Sequence, residues 1–449
     1  MRFSTAELAV QLGGTLVGPD VTIDGASIDS RTTERGQLFI PIIAERDGHD
    51  FLAHARSAGA AAYLTSQPPS GGTAIVIPDT SSALSTLGRL ARARLNAGVI
   101  GITGSVGKTT TKELVWRCLA STFKTSASVR SYNNELGVPL TLVNAPDDAQ
   151  WVILEMGARG FGHIRELAEI ALPNVGVVTS VAMAHIEFFG DLEGVFRAKS
   201  ELVTALPESG AAVLNFDDPR VRRMSELSSS AVLGYAVHAP ADVTAEKVVL
   251  NETLQPRFSL VTPWGNGDVA LQLHGEQQVS NALAAAATAL WCGVPLDAVT
   301  SSLAEVAGPP LRMAVRRPSR GPVLVVDCYN ANPASTEAAL RALDALKANR
   351  KVALLGVMAE LGAETAGQHQ RMASLAQELG IEIVGYHTSL YGPTQVTTMQ
   401  AAVGLAQELS SADALLIKGS RVARLEDVLH TYGTSIGEES LMPGASPLS

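Results

Sequence analysis

The chain has 449 residues, which at roughly 150 per domain predicts about three domains. Its 34 Lys and Arg against 44 Asp and Glu leave a formal charge of −10, and a pI near 5.4 excludes a non-specific nucleic-acid binder, which needs a basic footprint. Hydrophobic residues at 46% and charged ones at 17% exclude a disordered chain.

The first residues, MRFSTAELAVQLGG, carry polar positions throughout, so no signal peptide is expected. Cys118, Cys292 and Cys328 are far apart, with no CxxC pair and no Cys/His cluster. That argues against a disulfide scaffold or a structural zinc site and fits a reducing compartment, so a cytoplasmic location is expected. The most apolar stretch, Leu283 to Leu296, is Ala-rich and too short for the ~18 residues of a span, so no membrane insertion is expected.

Short apolar runs alternate with Ala/Leu/Glu-rich helical stretches, which predicts an α/β fold with mostly parallel sheets. Residues 66–72, SQPPSGG, read as a surface turn in the first unit. Strands are expected at Val99–Thr103, Trp151–Glu155, Val175–Val181, Ala211–Asn215, Val323–Asp327, Lys351–Gly356, Ile381–Gly385 and Ala414–Lys418. Several end on a polar or charged residue, and in open α/β sheets ligands gather at the carboxyl ends of strands. The segment 240–280 reads as an antiparallel insertion, and 307–322, with Pro309, Pro310, Pro318 and Gly321, as a linker to a last domain.

Residues 99–112, VIGITGSVGKTTTK, pass from an apolar run through a Gly-rich turn into a helix. Gly104 and Gly107 would let the backbone of Gly104, Ser105, Val106, Gly107 and Thr110 close around phosphate oxygens at a helix N-terminus. Lys108 would reach the outer phosphates and the Thr109 hydroxyl a Mg²⁺ ion. The commoner loop carries a further glycine five residues before Gly107, where this chain has Ile102. A Gly-rich turn without nucleotide is the bland alternative, but strand, glycines, Lys, Thr and helix in that order favour nucleotide binding. Kinases, ATPases and ligases all stay open.

WVILEMG places Glu155 at the end of a buried-type strand, where a carboxylate is costly unless paired or bound to a cation. Downstream, AHIEFFG carries His185 and AKSEL carries Lys199. Singly, each has an ordinary reading as an ion-paired carboxylate, a loop histidine and a solvated helix lysine.

The combination TGSVGKTT, EMGA, AHIEFFG and AKSEL resembles the ATP-dependent Mur ligases of peptidoglycan synthesis. The segments YNNELGVPLTL, VVDCYNANPAS, LLGVMAELGAE and IKGSR resemble the branch of that family that adds D-alanyl-D-alanine, and IDSRTTERGQLFI with ERDGHDF resembles its uridine-nucleotide domain. The resemblance covers nearly the whole chain. It implies a small N-terminal uridine-nucleotide-binding α/β domain (1–82), a central P-loop ATPase-like parallel-sheet domain (83–310) and a C-terminal Rossmann-like α/β domain (311–449).

The resemblance also implies the chemistry. ATP would phosphorylate the carboxylate of UDP-MurNAc-tripeptide, and the amine of D-Ala-D-Ala would displace phosphate. Two Mg²⁺ ions would be held by Thr109, Glu155, His185 and Lys199, the last carbamylated by CO₂. Lys108, His185 and Lys199 would be catalytic; Asn281 would reach the adenine, and Arg312 and Asp327 would approach the ATP phosphates and ribose. Ser30 and Arg31, with Asp47, Gly48 and His49 nearby, would contact the nucleotide sugar; Asn133, Asn134, Tyr329, Asn330 and Asn332 would line the substrate sites. Ordinary alternatives are a helix cap for Asn281, a strand-end turn for Asp327, a plain loop for Asn330–Pro333 and surface polar residues for Ser30 and Arg31.

Departures from the family pattern fall at Ala182, Met183 and Phe188 around the histidine, at Cys328, Ala334 and Thr336 around YNANP, and at Leu311, where a Gly or His is usual, and Val357, where an acidic residue is usual. A monomer acting on small molecules is expected. A Mur-type ligase with another acceptor, a non-catalytic scaffold and a simple ATPase or kinase are the competing readings.

Overall fold

The computed structural model describes residues 1–129, 132–184, 186–309 and 311–438. Three principal sheets follow one another along the chain.

The first sheet has five short strands in the order Thr15–Val17, Ala74–Val76, Ala62–Thr65, Leu38–Phe39 and Ala26–Ser27, beside a two-stranded pair of Arg2–Ser4 with Thr22–Asp24. Residues 66–72 connect two of its strands, as expected of a turn. A boundary at 82/83 falls inside the helix Thr80–Arg94. That helix packs on Gly137–Val143 and His163–Ala171 of the next unit: a side chain at Gly88 would strike Pro139, and Arg92 donates to the Ala171 carbonyl at 2.7 Å.

The central sheet has nine strands in the order Gly265–Ala270, Pro256–Thr262, Val243–Leu250, Ala231–Ala236, Ala211–Asn215, Val175–Val178, Gly98–Thr103, Trp151–Glu155 and Thr125–Ala127. The seven strands from Val243–Leu250 onward pair in parallel. The inner ones, such as Val175–Val178 and Ala211–Asn215, are buried along their length and read as apolar runs because helices cover both faces. The segment expected as an antiparallel insertion instead extends this sheet: Pro256–Thr262 and Gly265–Ala270 continue it antiparallel from Val243–Leu250. The Ala-rich stretch lies in the helix Gln277–Trp291 up to Trp291 and then turns toward the next helix; from Ala282 to Leu290 it is buried against the phosphate-loop helix and the sheet. No helix among the described residues is long and apolar enough to cross a membrane.

The last sheet has six strands, Ala314–Arg316, Val323–Asp327, Ala414–Lys418, Lys351–Leu355, Glu382–Tyr386 and Gln395–Val396, all parallel except the first. Part of the expected linker is therefore a strand, Ala314–Arg316, paired antiparallel with Val323–Asp327. Leu311 adopts φ +61°, a left-handed conformation at a position where the family pattern carries Gly or His.

The strand expected over Val175–Val181 stops at Val178. Thr179 N still donates to the Thr103 carbonyl at 3.0 Å, while its hydroxyl donates to the Val106 carbonyl at 2.6 Å, so the chain beyond Val178 turns to support the phosphate loop.

Candidate active site

Strand Gly98–Thr103 lies between Val175–Val178 and Trp151–Glu155, with Ile102 opposite Glu155. The loop Gly104–Gly107 and the Glu155 carboxylate therefore share one end of the sheet. Gly104 (φ +147°) allows no side chain, because a Cβ would collide with Thr179 Oγ1. Gly107 (φ +86°) opens the helix Lys108–Ala120, and a Cβ there would stand 2.5 Å from Asn281 Oδ1.

The loop rests on the segment after Val178. Ser105 N donates to the Ser180 carbonyl, Val106 N to Ser180 Oγ, and Ser105 Oγ to the Ala182 carbonyl, at 2.9, 3.1 and 3.0 Å. The first-turn amides of the helix, including those of Lys108, Thr109 and Thr110, have no helical carbonyl to bind, which makes this terminus an anion cradle.

Thr109 Oγ1 donates to Glu155 Oε2 at 2.9 Å, and Asn133 Nδ2 donates to Glu155 Oε1 at 2.9 Å. Lys108 curls back so that Nζ donates to the Gly104 carbonyl at 2.6 Å. Burial lowers the Lys108 pKa, partly opposed by Glu155 and reinforced by Arg312. Lys199, on the helix Leu192–Thr204, is only 2% exposed. Burial and then the neighbouring Lys108 charge push its ammonium down to about 7, against the pull of Glu201 and Glu155. The Glu201 carboxylate caps the helix His163–Ala171, accepting from Gly162 N at 2.7 Å and Arg165 N at 3.0 Å. His185 lies outside the described residues.

The last sheet supplies the opposite wall. Asp327 and Lys418 are register neighbours, and Lys418 Nζ donates to Asp327 Oδ2 at 2.6 Å and to the Asn330 carbonyl at 3.0 Å. Asp327 Oδ1 also accepts from Met313 N at 3.1 Å. The Arg312 guanidinium stacks 4.1 Å from the centroid of the Tyr329 ring. Between the two walls lies a cavity of about 1010 Å³ whose lining includes Lys108, Thr109, Glu155, Lys199, Asn281, Arg312, Asp327, Tyr329 and Asn330. The walls meet where Glu187 N donates to the Glu360 carbonyl at 3.4 Å.

Several expected residues serve the scaffold as placed. Asn332, although it lines the cavity, caps the helix Pro333–Ala345: its Oδ1 accepts from Ser335 N at 2.9 Å and Ser335 Oγ accepts from its backbone N. Asn134 Oδ1 accepts from Gly137 N at 3.0 Å, opening the next helix. Asn281, expected to reach the adenine, as placed braces the phosphate-loop helix: its Oδ1 accepts from Thr111 Oγ1 at 3.3 Å and its Nδ2 donates to Gln278.

Ser30 and Arg31 do not line the cavity, whereas Ile28 does. Ser30 Oγ pairs with His54 Nδ1 at 3.0 Å, and Arg31 is held by both oxygens of Asp29. Asp47 Oδ1 accepts from His49 Nδ1 at 2.6 Å while Ser66 N donates to His49 Nε2, fixing that ring between two loops. Sequence reasoning missed Arg159, His163, Glu166 and Glu360, which also line the cavity. Arg159, His163 and Glu166 lie on a loop and a helix start with no motif of their own; Glu360 stands inside the segment LLGVMAELGAE, and only the packing of the two walls brings it to the cavity.

Among the described residues no three His, Cys, Asp or Glu gather as a metal cage. The Thr109–Glu155 donor set suits a cation that keeps phosphate and water ligands, the habit of Mg²⁺.

Comparison with known proteins agrees with this architecture. Residues 102–289 match the Mur ligase middle domain, and residues 311–421 match the Mur ligase, glutamate ligase domain. The chain is 35% identical to the UDP-N-acetylmuramoyl-tripeptide–D-alanyl-D-alanine ligase of Mycobacterium tuberculosis, over 95% of this chain and 96% of that one. It is 33% identical to the ligase of that name from Escherichia coli, over 94% and 97%. Among solved structures, MurF from Acinetobacter baumannii superposes with a TM-score of 0.87 at 28% identity, over 96% of this chain and 99% of that one. MurF from Thermotoga maritima, in complex with ADP, gives 0.81 at 26% identity, over 92% and 98%.

A phosphate loop in a parallel sheet, facing a second α/β wall across one cavity, defines an ATP-dependent ligase of the Mur type. Within that class the chain belongs to the UDP-N-acetylmuramoyl-tripeptide–D-alanyl-D-alanine ligases, MurF.

Proposed function

We propose that this chain joins D-Ala-D-Ala to UDP-MurNAc-tripeptide at the expense of ATP, completing the pentapeptide precursor of peptidoglycan. The observation that carries this reading is the convergence of Lys108, Thr109, Glu155 and Lys199 from the central sheet with Arg312 and Asp327 from the last sheet on one cavity.

A carboxylate is a poor electrophile at neutral pH, so the tripeptide carboxylate oxygen bonds to the γ-phosphorus of ATP as the bond to the bridging oxygen breaks and ADP leaves. The amine of D-Ala-D-Ala then adds to the acyl carbon, loses its proton and expels phosphate. The phosphate-loop amides and Lys108 hold the transferring phosphate, replacing the contact of Lys108 with the Gly104 carbonyl. Thr109 and Glu155 would hold one Mg²⁺, and Lys199 with His185 a second. Mg²⁺ supplies charge neutralisation and alignment of the phosphate with the substrate carboxylate.

Carbamylation of Lys199 fits its surroundings. A buried ammonium facing Lys108 is costly, whereas a carbamate there would be anionic and able to ligate a cation. Asn133 keeps Glu155 oriented, Arg312 stacks on Tyr329 at the cavity wall, and Asp327, held by Lys418, presents its carboxylate toward the nucleotide. Closure of the last unit on the central one would keep water from the acyl phosphate. A cytoplasmic location fits a reaction that draws on ATP.

The test is incubation with ATP, Mg²⁺, UDP-MurNAc-tripeptide and D-Ala-D-Ala, followed by mass spectrometry for the pentapeptide. Product is expected only with all four. Phosphate release independent of either peptide substrate would overturn the reading. Isotopically labelled bicarbonate should give a carbamate signal that Lys199→Arg abolishes.

A further inference from the structure

The edge strand Ala26–Ser27 of the first sheet pairs on one side only, with Leu38–Phe39. Gly25 and Ser27 turn their carbonyls toward that partner, accepting from Leu38 N and Ile40 N. The N–H and C=O of Ala26 therefore face the open side. Both are taken by one side chain of the central unit: Asn144 Oδ1 accepts from Ala26 N at 2.9 Å, and Asn144 Nδ2 donates to the Ala26 carbonyl at 2.9 Å. The amide acts as a single rung of an added strand. Gly25 (φ +79°) makes room for it, because a Cβ there would collide with Asn144 Oδ1.

Asn144 ends the helix Gly137–Val143, every residue of which is buried. Seven residues at about 1.5 Å each give a rod of roughly 10 Å. At its other end Asn134 Oδ1 accepts from Gly137 N, the first amide of the helix, and the preceding Asn133 holds Glu155 and accepts from Gly157 N at 2.7 Å through its carbonyl. On the far side, Ala26 leads within two residues to Ile28, at the cavity edge, and then to Ser30 and Arg31. One short rigid element thus joins the Glu155 carboxylate to the root of the segment expected to bind the nucleotide sugar. The apolar core shared by the first and central units is non-directional, so by itself it does not fix the register between them. Directional bonds do: Met1 N donates to the Val143 carbonyl at 3.3 Å and Arg92 to the Ala171 carbonyl, but of these only the Asn144 pair grips the peptide that leads to Ile28.

We propose that Asn144 is a positioning residue that sets the distance and orientation of the nucleotide-sugar segment relative to the ATP site. The inference rests on the proposed substrate assignment, since it needs the first unit to bind the UDP-sugar. Asn144 is itself exposed, so truncating it leaves no core cavity.

The experiment compares wild type, Asn144→Ala, Gly25→Ala and the double variant. Affinities for UDP-MurNAc-tripeptide and for ATP are measured separately by calorimetry, and KM and kcat by pentapeptide formation. Loss of the two bonds should weaken nucleotide-sugar affinity and raise its KM by about tenfold, with ATP affinity unchanged. Gly25→Ala, which displaces the amide from the other side, should give the same signature, and the double variant should be little worse than either single one. Equal weakening toward both ligands, or no change toward the sugar nucleotide, overturns the positioning role. A wild type that binds both ligands without forming pentapeptide overturns the assigned reaction but leaves the affinity test of Asn144 standing. A wild type that does not bind the sugar nucleotide overturns both.

Discussion

Asp327 and Lys418 stand opposite each other at the carboxyl ends of adjacent parallel strands, and their ion pair at 2.6 Å is almost closed to solvent, with Lys418 1% exposed. The pair ties Asp327, on the cavity wall, to the Asn330 carbonyl in the loop that follows. Breaking a buried pair from one side leaves a charge without a partner, which costs about 3 kcal/mol or more. Lys418→Met should therefore lower the stability of the last unit by that order, measured as a shift in urea midpoint. Because Asp327 would also lose its orientation, kcat should fall at a denaturant-free temperature where the variant is fully folded.

Glu155→Gln isolates charge from shape at the phosphate loop. A glutamine can still accept from Asn133 and keep its contact with Thr109, so thermal stability should change little. The cation would lose its anionic ligand. We expect kcat to fall by roughly a hundredfold, the order seen when one preorganised electrostatic contact is removed, with a higher Mg²⁺ requirement. Mg²⁺ titration of initial rates checks both; an unchanged Mg²⁺ profile would remove Glu155 from the metal site.

What was legible in the sequence, and what was not, follows from the physics of each element. Strands Trp151–Glu155, Ala211–Asn215, Val323–Asp327 and Ala414–Lys418 coincide with their expected bounds because strands covered on both faces need uninterrupted apolar runs. The strands of the first sheet, two to four residues each, carry too little periodicity to be read. Ala314–Arg316 was hidden by the Pro and Gly around it. Burial of Lys199 was invisible because helical spacing alone gives a lysine an outward reading. The roles of Asn281 and Asn134 were ambiguous for another reason: one amide can bind a ligand, cap a helix or brace a loop, and only placement separates these.

Gly104 offers a sharper test of the loop. Any Cβ there would collide with Thr179 Oγ1, the hydroxyl that holds the Val106 carbonyl, and φ +147° is in any case costly for a side chain. Gly104→Ala should raise the KM for ATP about tenfold or more while leaving affinity for the sugar nucleotide unchanged. Calorimetric titration with each ligand distinguishes this from general unfolding.

His369 links the last unit to pH. Its Nε2 accepts from Met358 N at 2.9 Å and its Nδ1 donates to the Thr365 carbonyl at 2.6 Å, so the folded ring is neutral. Burial holds its pKa below the ordinary 6.5, although the Thr365 carbonyl pulls the other way. The unfolded chain then binds a proton that the folded chain refuses, and stability falls as pH drops below about 6.5 toward the folded value. Above that pH the contribution is fully present. Urea midpoints across this range should decline more steeply for wild type than for His369→Gln, and parallel slopes would assign the acid sensitivity elsewhere.

At Asn332 a structural and a substrate role predict different kinetics. Its capping box closes the helix Pro333–Ala345, and loss of such a cap costs about 1 kcal/mol. If capping is its whole role, Asn332→Ser, which can still cap, should restore stability and leave the KM for D-Ala-D-Ala at the wild-type value. Asn332→Ala would then lose stability, with at most a modest change in KM. If the amide also contacts the dipeptide, both variants should raise that KM to a similar extent while only the alanine is destabilised. Steady-state kinetics in D-Ala-D-Ala, run beside thermal melts of the two variants, separates cap from contact because serine reproduces the first function and not the second.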